Sequence, residues 1–255
     1  MSTTITTAFV QQFSSNIAML SQQMGSLLRS SVDVESVNAE KAFFDQVGVA
    51  AAVARTTRNS DTPLMDTPHT RRMVTMTDYE YADLIDSQDK IRMLADPTST
   101  YARAAAAAMG RAMDDVIIAA MHGTAKTGAS GATSVSFPAA QQIAHGSAGL
   151  TIAKLLSAKE ILDANSVDPS IPRYLVASPK QMSDLLGTTQ VTSSDFNTVK
   201  SLVQGQIDSF MGFKFISSNR LPHNGTSRQV FAYASDGMKV AIGKEPTAKI
   251  DERAD

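Results

Sequence analysis

Apolar residues recur every three or four positions along residues 8–29, which predicts an amphipathic helix near the N-terminus. The apolar positions are Phe9, Phe13, Ile17, Leu20, Met24 and Leu27. Serine and glutamine fill the opposite face, and no charged side chain occurs before Arg29. Two interpretations stay open: the helix packs on its own domain, or it is a terminal arm that packs on a neighbouring molecule.

A two-stranded hairpin is the next element that the pattern predicts. Its strands are residues 51–58 and 70–76, and the tip between them is rich in asparagine, aspartate and proline. An isolated two-stranded ribbon is at best marginally stable in water, and it exposes unpaired backbone edges. We therefore expect the hairpin to be stabilised by a neighbouring molecule, which indicates an assembly protein rather than a self-contained enzyme.

Charge is distributed in blocks around this hairpin. The hairpin carries four arginines: Arg55, Arg58, Arg71 and Arg72. The segment that follows carries five acids: Asp78, Glu80, Asp83, Asp86 and Asp89. One interpretation is that both blocks are solvated surface charge. The alternative is that the basic hairpin contacts the acidic segment of a neighbour, where opposite charge guides register and association rate more than affinity.

A long helix is predicted from Asp96 to Gly123. Asp96 can cap its first turn, Pro97 suits the first helical position, and Gly123 suits the C-terminal stop. At 1.5 Å per residue the helix is a rod of roughly 40 Å. The predicted apolar face carries Met109, Met113, Val116 and Ile117, beside Ala105 and Ala112. The predicted polar face carries Arg103, Arg111, Asp114 and His122, with Arg111 and Asp115 placed to pair one turn apart.

The second half of the chain alternates short helical and strand patterns, which predicts a mixed α and β region after a loop at 123–149. Ser178 to Gln181 form a capping box with proline at the first helical position, and the helix ends near Gly187. Asp236-Gly237 predicts a β-hairpin between residues 230–235 and 238–242. The other predicted elements are a helix at 151–165 with Leu155, Leu156, Ala158, Ile161 and Leu162 inward, a strand at 173–177, a helix at 194–205 and a strand at 212–217.

Composition excludes several kinds of chemistry. The 255 residues suffice for a substantial core, contain no cysteine and carry a net charge of −2. The sequence shows no signal-peptide pattern, and no apolar run reaches the about 18–20 residues that cross a bilayer. Its four histidines lack metal-ligand spacing, and no phosphate loop or nucleophile elbow is complete. We therefore predict no catalytic, cofactor-binding or metal-binding residues.

The order of these parts resembles the major capsid protein of tailed bacteriophages, the Hong Kong 97 fold. Residues 61–72 (DTPLMDTPHTRR) resemble the tip and returning strand of the extended loop in these proteins. Residues 81–86 (YADLID) resemble the entry into the peripheral domain. Residues 173–181 (RYLVASPKQ) and 210–222 (FMGFKFISSNRLP) resemble the strands and helix of the axial domain. The resemblance extends over nearly the whole chain, and the order of the phrases is its most specific feature.

This resemblance implies an α+β subunit with a Hong Kong 97-type capsid fold. The implied parts are an N-terminal arm at 1–45, an extended β-hairpin loop at 46–77, a peripheral domain with a spine helix at 78–150, an axial domain at 151–235 and a return to the peripheral domain at 236–255. The implied function is non-enzymatic: hexamers and pentamers self-assemble into the icosahedral or prolate shell of a virion around double-stranded DNA. The candidate subunit-interface residues are Phe9, Phe13, Arg55, Arg58, Arg71, Arg72, Asp78, Glu80, Asp83 and Asp86.

The resemblance also implies partners. We expect separate scaffolding and portal proteins, count a decoration protein as a candidate, and expect assembly in the host cytoplasm, no membrane, and no sequence-specific DNA binding. Similar proteins usually continue beyond the position of Asp255, so the chain is either a fragment or ends differently from them. Two alternatives stay open: an encapsulin-like shell that encloses cargo enzyme, and an unrelated soluble α/β enzyme with an oligomerisation arm.

Overall fold

The structure, a computed structural model, describes residues 21–58, 61–62, 64–83, 98–187, 209–225 and 227–247. Its helices are α1 (Thr98–His122), α2 (Ile152–Ala164) and α3 (Pro179–Leu186). Its strands are β1 (Asp33–Ser36), β2 (Lys41–Val47), β3 (His69–Thr75), β4 (Ala125–Thr127), β5 (Thr133–Val135), β6 (Arg173–Ala177), β7 (Ser209–Phe210), β8 (Phe213–Ser217), β9 (His223–Asn224), β10 (Ser227–Arg228), β11 (Phe231–Ala234) and β12 (Lys239–Ile242). This mixture of helices and largely antiparallel strands is the α+β class that the sequence predicts.

The chain forms two units. One consists of Leu27–Thr77 and Asp114–Glu245, and it contains all of the described strands. The other consists of Met1–Ser26, Asp78–Met113 and Pro246–Asp255. Helix α1 contributes its first part to the second of these units and its last part to the first.

The predicted hairpin exists, but it begins earlier than the sequence indicated. β2 pairs with β3 in antiparallel register over its full length, beginning with Lys41 opposite Thr75. The Gly48 N–H donates to the Pro68 carbonyl at 2.8 Å, which extends the ladder by one step. Residues 51–58, predicted as the outgoing strand, form no strand and belong to the tip. The prediction was wrong because β2 places polar and apolar residues on both faces, so it lacks the alternation of a half-buried strand.

Two short strands extend the hairpin sheet beyond β3. The sheet order is β2-β3-β4-β5, and every neighbouring pair is antiparallel. The β4–β5 turn packs on the hairpin stem: Gly131 has a φ of +70°, and a Cβ at this position would overlap with the Met73 side chain. The segment 123–149, predicted as a loop, therefore contains a β-ribbon, and the hairpin stem has packing partners within its own chain.

A second sheet, with the order β11-β6-β8-β7, carries parallel strands β6 and β8 at its centre. Thr151 caps α2, and the predicted capping box of Ser178 and Gln181 opens α3. The buried core of this region consists of Leu150, Leu155, Leu175, Ala177, Leu185 and Phe213. Leu156 was predicted to point inward with Leu155 but is exposed, because successive helical side chains are rotated by about 100° and the core covers only the Leu155 side.

The hairpin predicted at Asp236-Gly237 is wrong. β11 pairs antiparallel with β6, whereas β12 pairs parallel with β1. A 3₁₀ turn at Ser235–Gly237 carries the chain from one sheet to the other. The Asp-Gly pair does mark a tight local turn, but strands distant in the sequence supply the pairing partners.

Helix α1 lies close to its predicted bounds, and its 25 residues span about 37 Å. Its buried residues are Ala107, Asp114, Ile117, Ile118 and Met121. Two positions differ from the prediction: Val116 is exposed, and Asp114, expected on the polar face, is fully buried. Buried carboxylates are rare unless partners satisfy them, and a hydrophobic pattern cannot reveal such partners.

Several predicted features lie outside the described residues, namely the helical positions at 8–20, the Asp96-Pro97 cap and the helix at 194–205. Residues 21–28 are described and are not helical; a single 3₁₀ turn follows at Arg29–Ser31. The predicted helix therefore does not continue to residue 29. Gly25 gives the reason, because its φ of +74° is incompatible with a right-handed helix.

Candidate subunit interface

The hairpin tip, residues 48–68, exposes large apolar side chains in its described part. Val49 is 88% exposed and Leu64 is 99% exposed, and Val53 and Met65 are exposed as well. Burying apolar surface stabilises a protein or a contact by about 25 cal/mol per Å², and these exposed side chains do not gain that free energy within their own subunit. Exposed apolar groups concentrated on one element are typical of a contact surface. The hairpin tip is therefore the strongest candidate interface among the described residues.

Arg71 already has partners within the hairpin stem. Its guanidinium forms a two-point ion pair with Asp45, with Nη2 3.1 Å from Oδ2, and its Cζ lies 5.5 Å from the centre of the Phe43 ring. Hydrogen bonding from Arg71 lowers the pKa of the Asp45 carboxyl group. Arg72 follows on the opposite face of the strand and is exposed. Of this adjacent pair, Arg72 is the better candidate for contact with a neighbour.

The other predicted interface residues are distributed over both units. Arg55 and Arg58 are exposed on the hairpin tip, where Arg55 Nε donates to the Thr57 carbonyl at 3.2 Å. The exposed acids of the segment after β3 are Asp78, Glu80 and Asp83. Phe9, Phe13 and Asp86 lie outside the described residues. The pairing of the arginines with the acids of a neighbouring subunit therefore stays a prediction.

A buried polar contact that the sequence analysis missed joins residues 27 and 28 to helix α1. Asp114 accepts hydrogen bonds from the backbone N–H groups of Leu27 and Leu28, each at 3.1 Å. The side chains of Asp114 and Leu28 are both fully buried. One signal could have indicated this: Asp114 lies three and four residues before Ile117 and Ile118, which is the spacing of the buried stripe on α1.

Ser31 and Tyr233 complete this contact. The Ser31 hydroxyl donates to the Leu28 carbonyl at 2.7 Å and lies 2.6 Å from the Tyr233 hydroxyl. Because Ser31 has one hydroxyl proton and donates it to Leu28, Tyr233 must be the donor in the second hydrogen bond. Burial raises the pKa of Tyr233, so its hydroxyl stays protonated and able to donate at neutral pH.

Arg111 and Asp115 on α1 were predicted to pair with each other, but each contacts a different segment. Arg111 Nη1 donates to Gln22 Oε1 at 2.7 Å and to the Gln23 carbonyl at 3.2 Å. Asp115 instead forms a two-point ion pair with Arg220. A pair within a helix contributes only about 0.2–0.5 kcal/mol, so partners from other segments readily replace it.

The described residues offer little for chemistry on small molecules. No group of three or more histidine, aspartate or glutamate side chains among them is placed to hold a metal ion. No helix in this part of the chain combines the length and apolarity needed to cross a membrane. A surface hollow of about 460 Å³ beside α2 is lined partly by Asp163 and Arg173, which pair with each other at 2.7 Å. That hollow therefore carries balanced charge.

Comparison with known proteins relates this geometry to a family. The chain matches the family described as phage capsid protein over residues 5–255. It is similar to the solved capsid of Ralstonia phage GP4, with 11% identity and a TM-score of 0.69 over 95% of this chain and 84% of that chain. It is also similar to the capsid of the cyanophage P-SCSP1u, with 17% identity and a TM-score of 0.63 over 88% of this chain and 72% of that chain. A third similar structure is the mature capsid of bacteriophage PhiM1, with 16% identity and a TM-score of 0.62 over 92% and 80%. No curated protein sequence matches.

Proposed function

The chain belongs to the phage capsid protein family, and we propose that it assembles through two surfaces, its hairpin tip and its N-terminal arm. As a member of this family it is a structural subunit of a viral shell rather than an enzyme. The fold is that of phage capsids of the Hong Kong 97 type, and the subunit is a self-assembling component of the virion. The finer proposal is that hexamers and pentamers close around double-stranded DNA in the host cytoplasm.

One observation carries the proposal for the hairpin: its stem is fixed and its tip is apolar and exposed. The stem is paired with β4 on one side, and the Met76 N–H donates to the Glu40 carbonyl at 2.9 Å at its base. The tip exposes Val49 and Leu64 almost completely. An element that is held at its base and apolar at its end is suited to reach and contact a neighbouring subunit.

The neighbour's contact surface in this proposal is the acidic segment 77–83. Exposed Tyr79 and Tyr81 alternate with its acids, so the segment offers both aromatic surface and negative charge. The hairpin tip offers the complementary set, with apolar side chains beside Arg55 and Arg58. Complementary charge of this kind fixes register and suppresses wrong contacts.

We propose the domain organisation of the family for this chain with one revision. The hairpin loop begins at Lys41, where β2 begins, so the N-terminal arm comprises residues 1–40. The peripheral domain comprises 78–150 and the axial domain 151–235, and the second sheet with α2 and α3 falls inside that axial range. Residues 236–255 return to the peripheral domain in this proposal, and within them β12 pairs with β1 of the N-terminal arm.

The proposed partners are a scaffolding protein and a portal protein, with a decoration protein as a further candidate. DNA is proposed to be enclosed without sequence-specific binding. The balance of 23 basic against 25 acidic residues supports this, because tight DNA binding requires many arginine and lysine contacts to phosphate.

Replacement of residues 49–68 by Asn-Gly-Thr tests the role of the hairpin tip. The Gly48 N–H donates to the carbonyl of residue 68, and threonine at that position supplies the N–H that Pro68 lacks, so an Asn-Gly turn can close the shortened stem. We expect a soluble subunit with unchanged circular dichroism that forms no shells in electron microscopy or light scattering.

The matched control is Leu156→Ser, which removes an equally large exposed apolar side chain from α2. We expect this variant to form particles like those of the unmodified chain. Normal particles from the tip replacement would reject the proposed role of the tip.

A further inference from the structure

We propose that Leu28 is the fixed root of the N-terminal arm, and that Asp114, Ser31 and Tyr233 anchor its backbone during assembly. We name these four residues the arm-root clasp. The proposal rests on the assembly role proposed for the arm, and it goes beyond that role by assigning the residues that anchor the arm.

The clasp holds the Leu28 peptide at both of its polar groups. The N–H donates to Asp114 on α1, and the carbonyl accepts from Ser31, which Tyr233 on β11 positions in turn. The side chain of Leu28 is fully buried, whereas Leu27 just before it is exposed. Leu28 is therefore the first buried residue of the described segment 21–28, and the side chains of Asp114 and Ser31 bond its backbone in addition to the Ser31 N–H of the 3₁₀ turn.

Asp114 and the Leu28 side chain have separate roles in this contact. Burying a carboxylate is unfavourable unless hydrogen bonds satisfy it, and two successive backbone N–H groups here donate to Asp114. Almost every residue carries a backbone N–H, so Asp114 anchors the chain without selecting a register. A shift by one residue would move the Leu28 side chain out of its buried position, so the apolar contact of Leu28 selects the register.

The cation Arg220 interacts electrostatically with both Asp114 and Asp115, but its guanidinium donates hydrogen bonds to Asp115. Asp115, the next residue of α1, pairs with Arg220 from the loop after β8, and that hydrogen bond raises the pKa of Arg220. Asp115 is exposed and makes no contact with residues 27 and 28 among the described hydrogen bonds. It therefore provides a matched control one residue away from the clasp.

Amide hydrogen exchange on the full-length subunit tests the contact directly. Asp114→Asn keeps the side-chain size but replaces one acceptor oxygen with a donor. We expect exchange at the Leu27 and Leu28 amides to accelerate by at least about tenfold, with no change in the β6 and β8 amides. Asp115→Asn should leave the exchange at residues 27 and 28 unchanged. Unchanged exchange in Asp114→Asn would overturn the proposal.

Electron microscopy of the same variants tests the consequence for assembly. Asp114→Asn should give few or irregular particles while Asp115→Asn gives normal ones. If Asp114→Asn does not fold, hydrogen exchange and electron microscopy are both done on Tyr233→Phe. This variant keeps the aromatic ring and removes only the hydroxyl that donates to Ser31. Normal shells from a variant with accelerated exchange at residues 27 and 28 would overturn the proposal, because the arm would then need no fixed root.

Phe13→Asp separates this inference from the proposed function on which it rests. This substitution changes the arm itself and lies outside the clasp. Normal shells from Phe13→Asp would reject the assembly role of the arm, whatever the clasp variants do. Failed assembly of Phe13→Asp together with normal assembly of Asp114→Asn would reject the clasp alone.

Discussion

Gly110 on α1 illustrates how a single side-chain atom decides a contact in this chain. A Cβ at Gly110 would overlap with the backbone of Gly25 and lie 2.8 Å from its carbonyl oxygen. Alanine favours a helix over glycine by about 1 kcal/mol, so Gly110→Ala would stabilise an isolated helix. Here the steric overlap outweighs the gain in helix propensity, because the Gly25 backbone cannot move aside as a flexible side chain can. We expect Gly110→Ala to destabilise the subunit by about 1–3 kcal/mol in chemical denaturation.

Gly237 provides the control for this prediction. No atom lies within 4 Å of a Cβ built at Gly237, and its φ is not positive. We expect Gly237→Ala to change the free energy of unfolding by less than about 0.5 kcal/mol. Equal stability of the two variants would mean that the segment around Gly25 moves away from α1 without cost.

Residue partners were the least predictable feature of the sequence. Because Asp114 is charged, the sequence analysis placed it on the polar face of α1, whereas the structure buries it. The hydrogen-bond donors that allow this burial are backbone N–H groups of residues far away in the chain. Arg111 and Asp115 had the right spacing to pair, but each has a partner on another segment. Local spacing limits which contacts are possible, whereas tertiary packing selects among them.

Among the larger elements, those specified by local signals were predicted well. The range of α1, the capping box at Ser178 and the strand β6 all match, because caps, turn residues and short apolar runs act within a few residues. Strand pairing was predicted poorly. β2 was missed and Asp236-Gly237 was assigned a hairpin, because pairing depends on partners that the local pattern does not contain.

The pairing of the hairpin with a neighbouring acidic segment is testable by charge reversal. Arg55→Glu with Arg58→Glu should reduce particle yield, and adding Asp78→Lys with Asp83→Lys should partly restore it. The effect should weaken at high salt, because exposed charges are screened over about 8–10 Å at physiological ionic strength. Rescue must exceed the sum of the separate effects to indicate contact. Lys159→Glu with Lys244→Glu, which reverses two exposed lysines outside the hairpin, makes the same change in net charge and should leave the yield unchanged.

The molecule as a whole was easier to place in a family than its contacts were to assign. The order of hairpin, long helix and mixed second half could be predicted from the sequence, because turn residues, a helical period and short apolar runs mark these parts in turn. The predicted N-terminal arm lies largely outside the described residues. Contacts between subunits depend on surfaces that only a neighbouring copy covers. A single chain shows such surfaces as exposed apolar groups, of which Leu64 on the hairpin tip is the clearest.

The interaction of the whole subunit with DNA follows from its charge. A shell must enclose DNA without binding it tightly, and each lysine or arginine contact to a phosphate increases the affinity for DNA and its salt dependence. The described part of α1 offers Arg103 and Arg111, and Arg111 is engaged with Gln22 and Gln23. We expect weak association of the free subunit with duplex DNA, equal for unrelated sequences and lost at about 150 mM salt, where screening is strong. A fluorescence titration with two duplexes of equal length and different sequence measures this. Submicromolar affinity that differs between the duplexes at that salt concentration would reject passive enclosure of DNA and assign the subunit a direct role in recognising the genome.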